Sequence, residues 1–352
     1  MLSGLFVHRM AILSFTNRDS FFTNEPLVIF GSTGLLGSEF TFYAAMARFS
    51  KKFILHGSEE GRLQGLKDEL EESALGEIDF TITTSVEEAV SHGGYIFYSR
   101  STRAKLQSRE SMLMGNAPMA KELGEAIRLA AAPIKRVVCV SNPSDLMGLS
   151  ILVHSGLSPE KVISLSALDT TRFRRALARR LGGSPEEYPS AITLGSHDMK
   201  MAPMLGNVRH EGKRLVDILS SEEQEQILKE VMYAGTVIYK LRGHTAYQSP
   251  AVLSLMMMMG SDAQPFILPA ARYHHSDRYP YVFGAFPTLI DDSGCKHIEV
   301  TCTREDAERL DGAFGSIALM RDKLIQENLL PTTDKWGKEL QRKENLVHII
   351  DE

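Results

Sequence analysis

Three groups of side chains in this sequence have types and spacings suited to moving a proton and holding an anion. In LDTTRF, Asp169 and Arg172 stand three residues apart, which on a helix puts both on one face. Most such pairs are ordinary helix salt bridges. In ITLGSHDMKMAP, His197 follows an apolar run and sits in a Gly/Ser turn. A histidine so placed is structural or solvated in most proteins, yet imidazole is the side chain that titrates near neutral pH. As a base it needs a carboxylate to hold its tautomer and stabilise its cation, and Asp169 is the candidate partner. In STRAKLQSRESMLMGNAP, Arg103 and Arg109 are six residues apart. On a helix they would lie on different faces; read as a loop, both can point into one cleft, the alternative being a solvated basic loop. Guanidinium forks match carboxylates with paired hydrogen bonds, so Arg103, Arg109 and Arg172 converging would define a dicarboxylate site.

A fourth group is made of glycines. LVIFGSTGLLG places Gly31, Gly34 and Gly37 between an apolar run and a helix-permissive stretch. That spacing lets a backbone turn approach a pyrophosphate and lay it on a helix N-terminus, where free N–H groups and the dipole favour an anion. The Gly-Lys that ends the phosphate loop of nucleotide triphosphatases is absent. An acid some twenty residues on would bind the adenosine ribose. Here that place reads FILHGSEEGR, with Gly57 and Ser58 where the carboxylate belongs. Ser58 and Arg62 could admit a 2′-phosphate, or Glu59 or Glu60 could serve the ribose from one turn later; both readings stay open.

The elements that must position these groups follow from the hydrophobic pattern. Apolar runs at Leu27–Phe30, Phe53, Phe80, Tyr95, the stretch ending at Ser141 and Lys161 alternate with helical segments, among them Ala117–Ala131 and Leu146–Ser155. About five crossover units of this kind imply a parallel, doubly wound sheet of the Rossmann type. After Asp169 the rhythm changes to a basic helix, a long helix over Ser221–Arg242, two strand-like runs (PFILPAARY and YVFGAFPTLI), a tight turn at Asp291–Gly294 and a terminal helix over Arg304–Asn328. The expected organisation is an extension over residues 1–24, a dinucleotide-binding domain over 25–168, and an α+β substrate domain with antiparallel strands over 169–352.

Composition narrows the class. The chain has 352 residues, 43% hydrophobic and 24% charged, as expected of a folded, soluble protein of roughly two domains. Its 39 Lys and Arg against 44 Asp and Glu give a net charge of −5, without the basic footprint of a nucleic-acid binder. Cys139, Cys295 and Cys302 have no zinc or thiol–disulfide spacing and fit a reducing compartment. His274 and His275 are adjacent and expected to flank a loop, His154 lies in a helical stretch, and no metal site is indicated. Met256–Met259 reads as helix core. No apolar run is long enough to span a membrane. The first two dozen residues carry His8, Arg9 and Arg18 with no acid before Asp19, like a weak targeting segment or an over-long start upstream of Met10. A short-chain reductase would need a Tyr followed four residues later by Lys, and none of the tyrosines has one.

Taken together these stretches resemble the lactate/malate dehydrogenase family, and malate dehydrogenases within it, from about Pro26 to Glu327. The similarity is carried by VIFGSTGLLG, RLQGLKDEL, SRESMLMGNAPMAKEL, VVCVSNPSDLM, ITLGSH and IYKLRGHTAYQSPA, and most specifically by Ser155–Gly182. The resemblance implies that His197 accepts the substrate hydroxyl proton, Asp169 orients it, Arg172 clamps the carboxylate beside the reacting carbon, and Arg109 polarises the carbonyl that forms. It implies that Arg103 pairs with the distal carboxylate, that Asn142 bonds substrate beside the nicotinamide, that Asn116 lines the cofactor site, and that Thr245 and Ala246 form pocket wall. It further implies NAD as cofactor, with NADP open at Gly57 and Ser58, interconversion of malate and oxaloacetate, a cytoplasmic homodimer or homotetramer, and no nucleic-acid or membrane partner. Another 2-hydroxy acid, or a nucleotide-binding homologue that has lost turnover, is the alternative. Two departures bear on these roles: Ala104–Gln107 stand where the family's loop carries Pro and Gly, and Asp198, Met199 and Lys200 follow His197 in place of small or hydroxyl residues.

Overall fold

The computed structural model describes residues 20–73, 75–102 and 108–350. Its first half alternates strand and helix as the hydrophobic pattern requires: β1 (Leu27–Phe30), α1 (Leu35–Met46), β2 (Lys52–His56), α2 (Glu60–Glu72), β3 (Asp79–Thr83), α3 (Val86–Ser91), β4 (Gly94–Tyr98), α4 (Arg109–Ala130), β5 (Ile134–Cys139), α5 (Ser144–Ser155) and β6 (Val162–Leu165). These strands lie parallel in the order β3-β2-β1-β4-β5-β6. Strand β1 is buried on both faces, Val28 and Phe30 in one core layer and Leu27 and Ile29 in the other, because helices cover both sides of the sheet. The strand order reverses at β1/β4, and a crevice at such a switch point, outside the carboxyl ends of the strands, is where α/β sheets bind ligands.

The second half contains α6 (Ala167–Leu181), the short strands β7 (Thr193–Leu194) and β8 (Ala202–Pro203), a small hairpin β9 (Arg209–His210) and β10 (Lys213–Arg214), α7 (Leu215–Ile218), α8 (Ser221–Arg242), α9 (Gln248–Met258), β11 (Phe266–His274), β12 (Val282–Asp291), β13 (Gly294–His297), β14 (Val300–Cys302), α10 (Arg304–Gln326) and β15 (Val347–Ile349). The long antiparallel strands β11, β12 and β13 do not form a sheet of their own. β11 pairs with β6 through Ala270↔Leu165 and Ala271↔Ser164, so β11, β12 and β13 extend the parallel sheet to nine strands. The division expected at residue 168/169 is therefore crossed by one sheet: an uncovered β6 edge would leave a row of unpaired N–H and C=O groups, and β11 supplies partners.

Two further expectations change, and one holds. Arg109 is not in a loop but opens α4, because Ser108 caps the helix and exchanges hydrogen bonds with Ser111 in a capping box. His274 and His275 stand where β11 gives way to the loop that leads to β12, as expected, and both are buried there. The terminal helix stops at Gln326, and the chain then runs back as a strap over residues 328–350 that buries Trp336, Leu340 and Leu346 and pairs β15 in parallel with β14. Met256–Met259 are core, the three cysteines are free and buried, and no helix among the described residues is long and apolar enough to cross a membrane.

Candidate active site

Gly31, Gly34 and Gly37 form the turn from β1 into α1. Gly31 takes φ +81°, and a Cβ on it would lie 2.9 Å from the Arg100 backbone nitrogen. A Cβ on Gly37 would come 2.1 Å from the Gly31 carbonyl oxygen, so the third glycine lets the helix close on the turn itself. Gly34 is the N-cap of α1 and brings no capping side chain, which leaves the helix N-terminus to an outside anion. This cradle fits the pyrophosphate of a dinucleotide. At the end of β2, Gly57 is buried and packs on Leu63 and Thr33, with Ser58 and Glu59 exposed beyond it. Arg62 donates to the Thr33 carbonyl at 3.4 Å, which places a cation over the glycine turn beside the position expected for the ribose.

A cavity of about 300 Å³ opens at the carboxyl ends of β5 and β6, walled by Leu35 and Leu36 of α1 and by Asn142, Arg172, His197 and Thr245. His197 Nδ1 lies 2.5 Å from Asp169 Oδ2, and Arg172 Nη1 donates to Asp169 Oδ1 at 3.0 Å. Both oxygens of one buried carboxylate are thus engaged. The Asp169 charge raises the His197 imidazole above its ordinary value, although burial and the Arg172 charge oppose it. Burial works to raise the Asp169 carboxyl, but His197 and Arg172 outweigh it and hold the group below the usual carboxylate range. With Nδ1 held by Asp169, Nε2 is the nitrogen left for the cavity. Such a pair can take a proton from a hydroxyl and return it to a carbonyl.

Of the residues expected at the site, the structure brings together Asp169, Arg172, His197, Asn142 and Thr245, with Ala246 beside them. Arg109 reaches the backbone of His197 but does not line the cavity. That guanidinium forms a two-pronged pair with Asp145 at 2.9 and 2.7 Å and donates to the His197 carbonyl at 2.6 Å, with Asp198 at 3.6 Å. Asn116, expected at the cofactor site, is buried; it accepts the Thr102 N–H at 2.8 Å and donates to the Asn142 carbonyl at 2.6 Å, and so holds the segments after β4 and β5 in register. Arg103 lies outside the described residues, as do residues 1–19 of the N-terminal extension. No cluster of metal-ligating side chains occurs among the described residues.

Two contributors escaped sequence reasoning. Asp145 reads as an ordinary acid in the first turn of α5, and only the fold brings Arg109 to it. Gly235, within α8, faces Arg172 so closely that a Cβ would lie 3.2 Å from Nη2; a glycine in mid-helix was the one available signal.

A parallel sheet with a glycine turn at its switch point, and a His–Asp–Arg cluster in the adjoining crevice, define a dinucleotide-binding α/β protein of the Rossmann type. Residues 26–164 match the family model for the NAD-binding domain of lactate/malate dehydrogenases. A malate dehydrogenase of Aeropyrum pernix is 30% identical over 221 residues, 62% of this chain and 71% of that protein. One from Picrophilus torridus is 32% identical over 200 residues, 54% of this chain and 61% of that protein, so this chain spans under two thirds of that relative's length. The crystal structure of a malate dehydrogenase from Plasmodium falciparum shares the fold with a TM-score of 0.76 at 22% identity, covering 86% of this chain and 99% of that one. The chain belongs to the lactate/malate dehydrogenase family.

Proposed function

We propose that this protein interconverts malate and oxaloacetate. The observation that carries the reading is the Asp169 carboxylate shared between His197 and Arg172 on the wall of the crevice. In the oxidative direction His197 Nε2 takes the hydroxyl proton, and the imidazolium is stabilised by Asp169; in the reductive direction it returns that proton to the carbonyl oxygen. Arg172 grips the carboxylate next to the reacting carbon and fixes the face presented to the cofactor. NAD, held on the Gly31–Gly37 turn, supplies the hydride acceptor when bound. Asn142 and Thr245 line the same cavity and bind substrate oxygens. Arg103 reads the distal carboxylate, as its sequence position in the family pattern implies. The malate dehydrogenases of Aeropyrum and Picrophilus support this substrate over lactate.

One observation favours a second reading, a homologue that binds nucleotide without turnover: the engagement of Arg109 by Asp145 and Asp198. The deciding assay follows the near-ultraviolet absorbance of reduced nicotinamide with oxaloacetate, with pyruvate as control, and with NADH and NADPH in parallel. Rapid oxidation with oxaloacetate alone is expected. Silence in folded protein that still binds NADH would overturn the malate reading in favour of another 2-hydroxy acid or of the second reading. A preference for NADPH would assign Ser58 and Arg62 to a 2′-phosphate.

A further inference from the structure

In a dinucleotide-binding sheet the adenosine ribose lies at the carboxyl end of the second strand, where a carboxylate usually holds its hydroxyls. In this chain Gly57 takes that place at the tip of β2, and the packing keeps it small. A Cβ on Gly57 would lie 3.1 Å from Leu63 Cδ2 and 3.4 Å from Thr33 Oγ1, and Leu63 is fully buried. An acidic side chain at the tip would have to push Leu63 into a filled core.

Two cations flank this tip. On one side Arg62, exposed in the first turn of α2, donates to the Thr33 carbonyl at 3.4 Å, a long bond that is readily given up. On the other side is Arg100, two residues past β4. The Ser99 N–H ties that segment to the end of β1 by donating to the Phe30 carbonyl at 3.0 Å, and a Cβ on Gly31 would lie 3.0 Å from Arg100 Cα. The Arg100 backbone therefore runs along the glycine turn. Its side chain is 26% exposed and pairs with Glu122 of α4, itself 46% exposed. Ion pairs open to solvent are weak, so the guanidinium can exchange Glu122 for a stronger acceptor. It also stands near the tip of β2: burial first, and then the Arg100 charge, push His56, the residue before Gly57, down to about 4. Glu59 and Glu60 lie just past the tip and oppose an anion, so one arginine would not suffice. Two guanidinium forks approaching from opposite sides do, because a phosphate dianion offers acceptors to both.

We propose that Arg62 and Arg100 close on the 2′-phosphate of NADP(H), so that this chain takes NADP(H) as well as NAD(H). The assignment rests on the dinucleotide reading of the glycine turn and is independent of which hydroxy acid is turned over. The test uses the full chain and reads binding by titration calorimetry, without turnover, for NADH, NADPH, 5′-AMP and 2′,5′-ADP, the last two differing only in the 2′-phosphate. NADPH should bind at least as tightly as NADH, and 2′,5′-ADP about tenfold more tightly than 5′-AMP. Arg100→Gln and Arg62→Gln should each lower the ratio of NADPH to NADH affinity about five- to tenfold. Arg62 is exposed, so its variant keeps the test open should Arg100→Gln fail to fold. The proposal is overturned if NADPH is the weaker ligand of the two, if 2′,5′-ADP binds no more tightly than 5′-AMP, or if neither substitution changes the ratio. In each of those cases NADH still binds and the glycine turn keeps its role; failure of both NADH and NADPH to bind would overturn the reading of the turn as well.

Discussion

His197 has one fixed nitrogen and one working nitrogen, and the charge on Asp169 sets how readily the working one holds a proton. Reduction of oxaloacetate needs the imidazolium, so its kcat/KM should fall as pH rises through the raised His197 value; oxidation of malate needs the neutral ring and should fall as pH drops through the same value. Asp169→Asn removes the raising charge, so both limbs should move to lower pH, and turnover should drop by about two to four orders of magnitude. A pH profile left in place would refute the pairing. His197→Asn should abolish turnover while NADH binding, read by titration, persists. At Arg109 the expectation runs the other way. Asp198 sits 3.6 Å from Arg109 Nε and is itself held by the Ser316 hydroxyl at 2.7 Å. An ion pair of that length is worth about 0.5–1 kcal/mol, so Asp198→Gly should ease Arg109 toward the cleft and lower KM for the keto acid about two- to fivefold; an unchanged or raised KM would show that Asp198 does not hold the arginine back. Asp169, Arg172 and His197 were legible in sequence because each sits in a short local pattern. Asp145 and Gly235 were not, since their partners come from other elements and neither residue type announces a role.

Among the elements, long periodic segments were readable to the residue. Helix α8 runs over the expected Ser221–Arg242, and the turn between β12 and β13 falls at Asp291–Gly294. The start of α4 was not readable, because the Ser108–Ser111 capping box had to outweigh a stretch that resembles a loop. The union of β11 with β6 was also hidden, since two residue pairs decide it and the strands are separated by some hundred residues of other structure. The β1–α1 turn gives the clearest test at this scale. Gly37→Ala would drive a methyl against the Gly31 carbonyl and force the helix off the turn. NADH affinity should weaken at least about tenfold, with about 1–3 kcal/mol of stability lost to overpacking. Native affinity measured by calorimetry in a folded variant would remove the glycine turn from the cofactor site.

Across the whole molecule, acid sensitivity should come from buried imidazoles as much as from the active site. His56 has neither ring nitrogen partnered, and burial pushes it down to about 4; His274 reaches about the same value. Between about pH 6.5 and 4 the unfolded chain binds these protons and the folded chain does not, so stability must decline as pH falls through that window. Each ring should cost roughly 3 kcal/mol by pH 4. Urea midpoints measured from pH 7 to 4 should show the decline, and His56→Phe should flatten part of it. A flat profile would mean that these rings are hydrated or paired in solution.

The chain has a single tryptophan, Trp336, and it lies in the strap, edge-on to the rings of Tyr273 and Tyr281. Its fluorescence therefore arises from one known place, at the far end of the sheet from the crevice that holds His197. A red shift of that emission would signal lifting of the C-terminal segment, whereas its intensity also falls when bound NADH absorbs it, and NADH emits from the opposite end. The wavelength of one colour and the intensity of the other would thus report on two distant parts of the molecule, with no label attached.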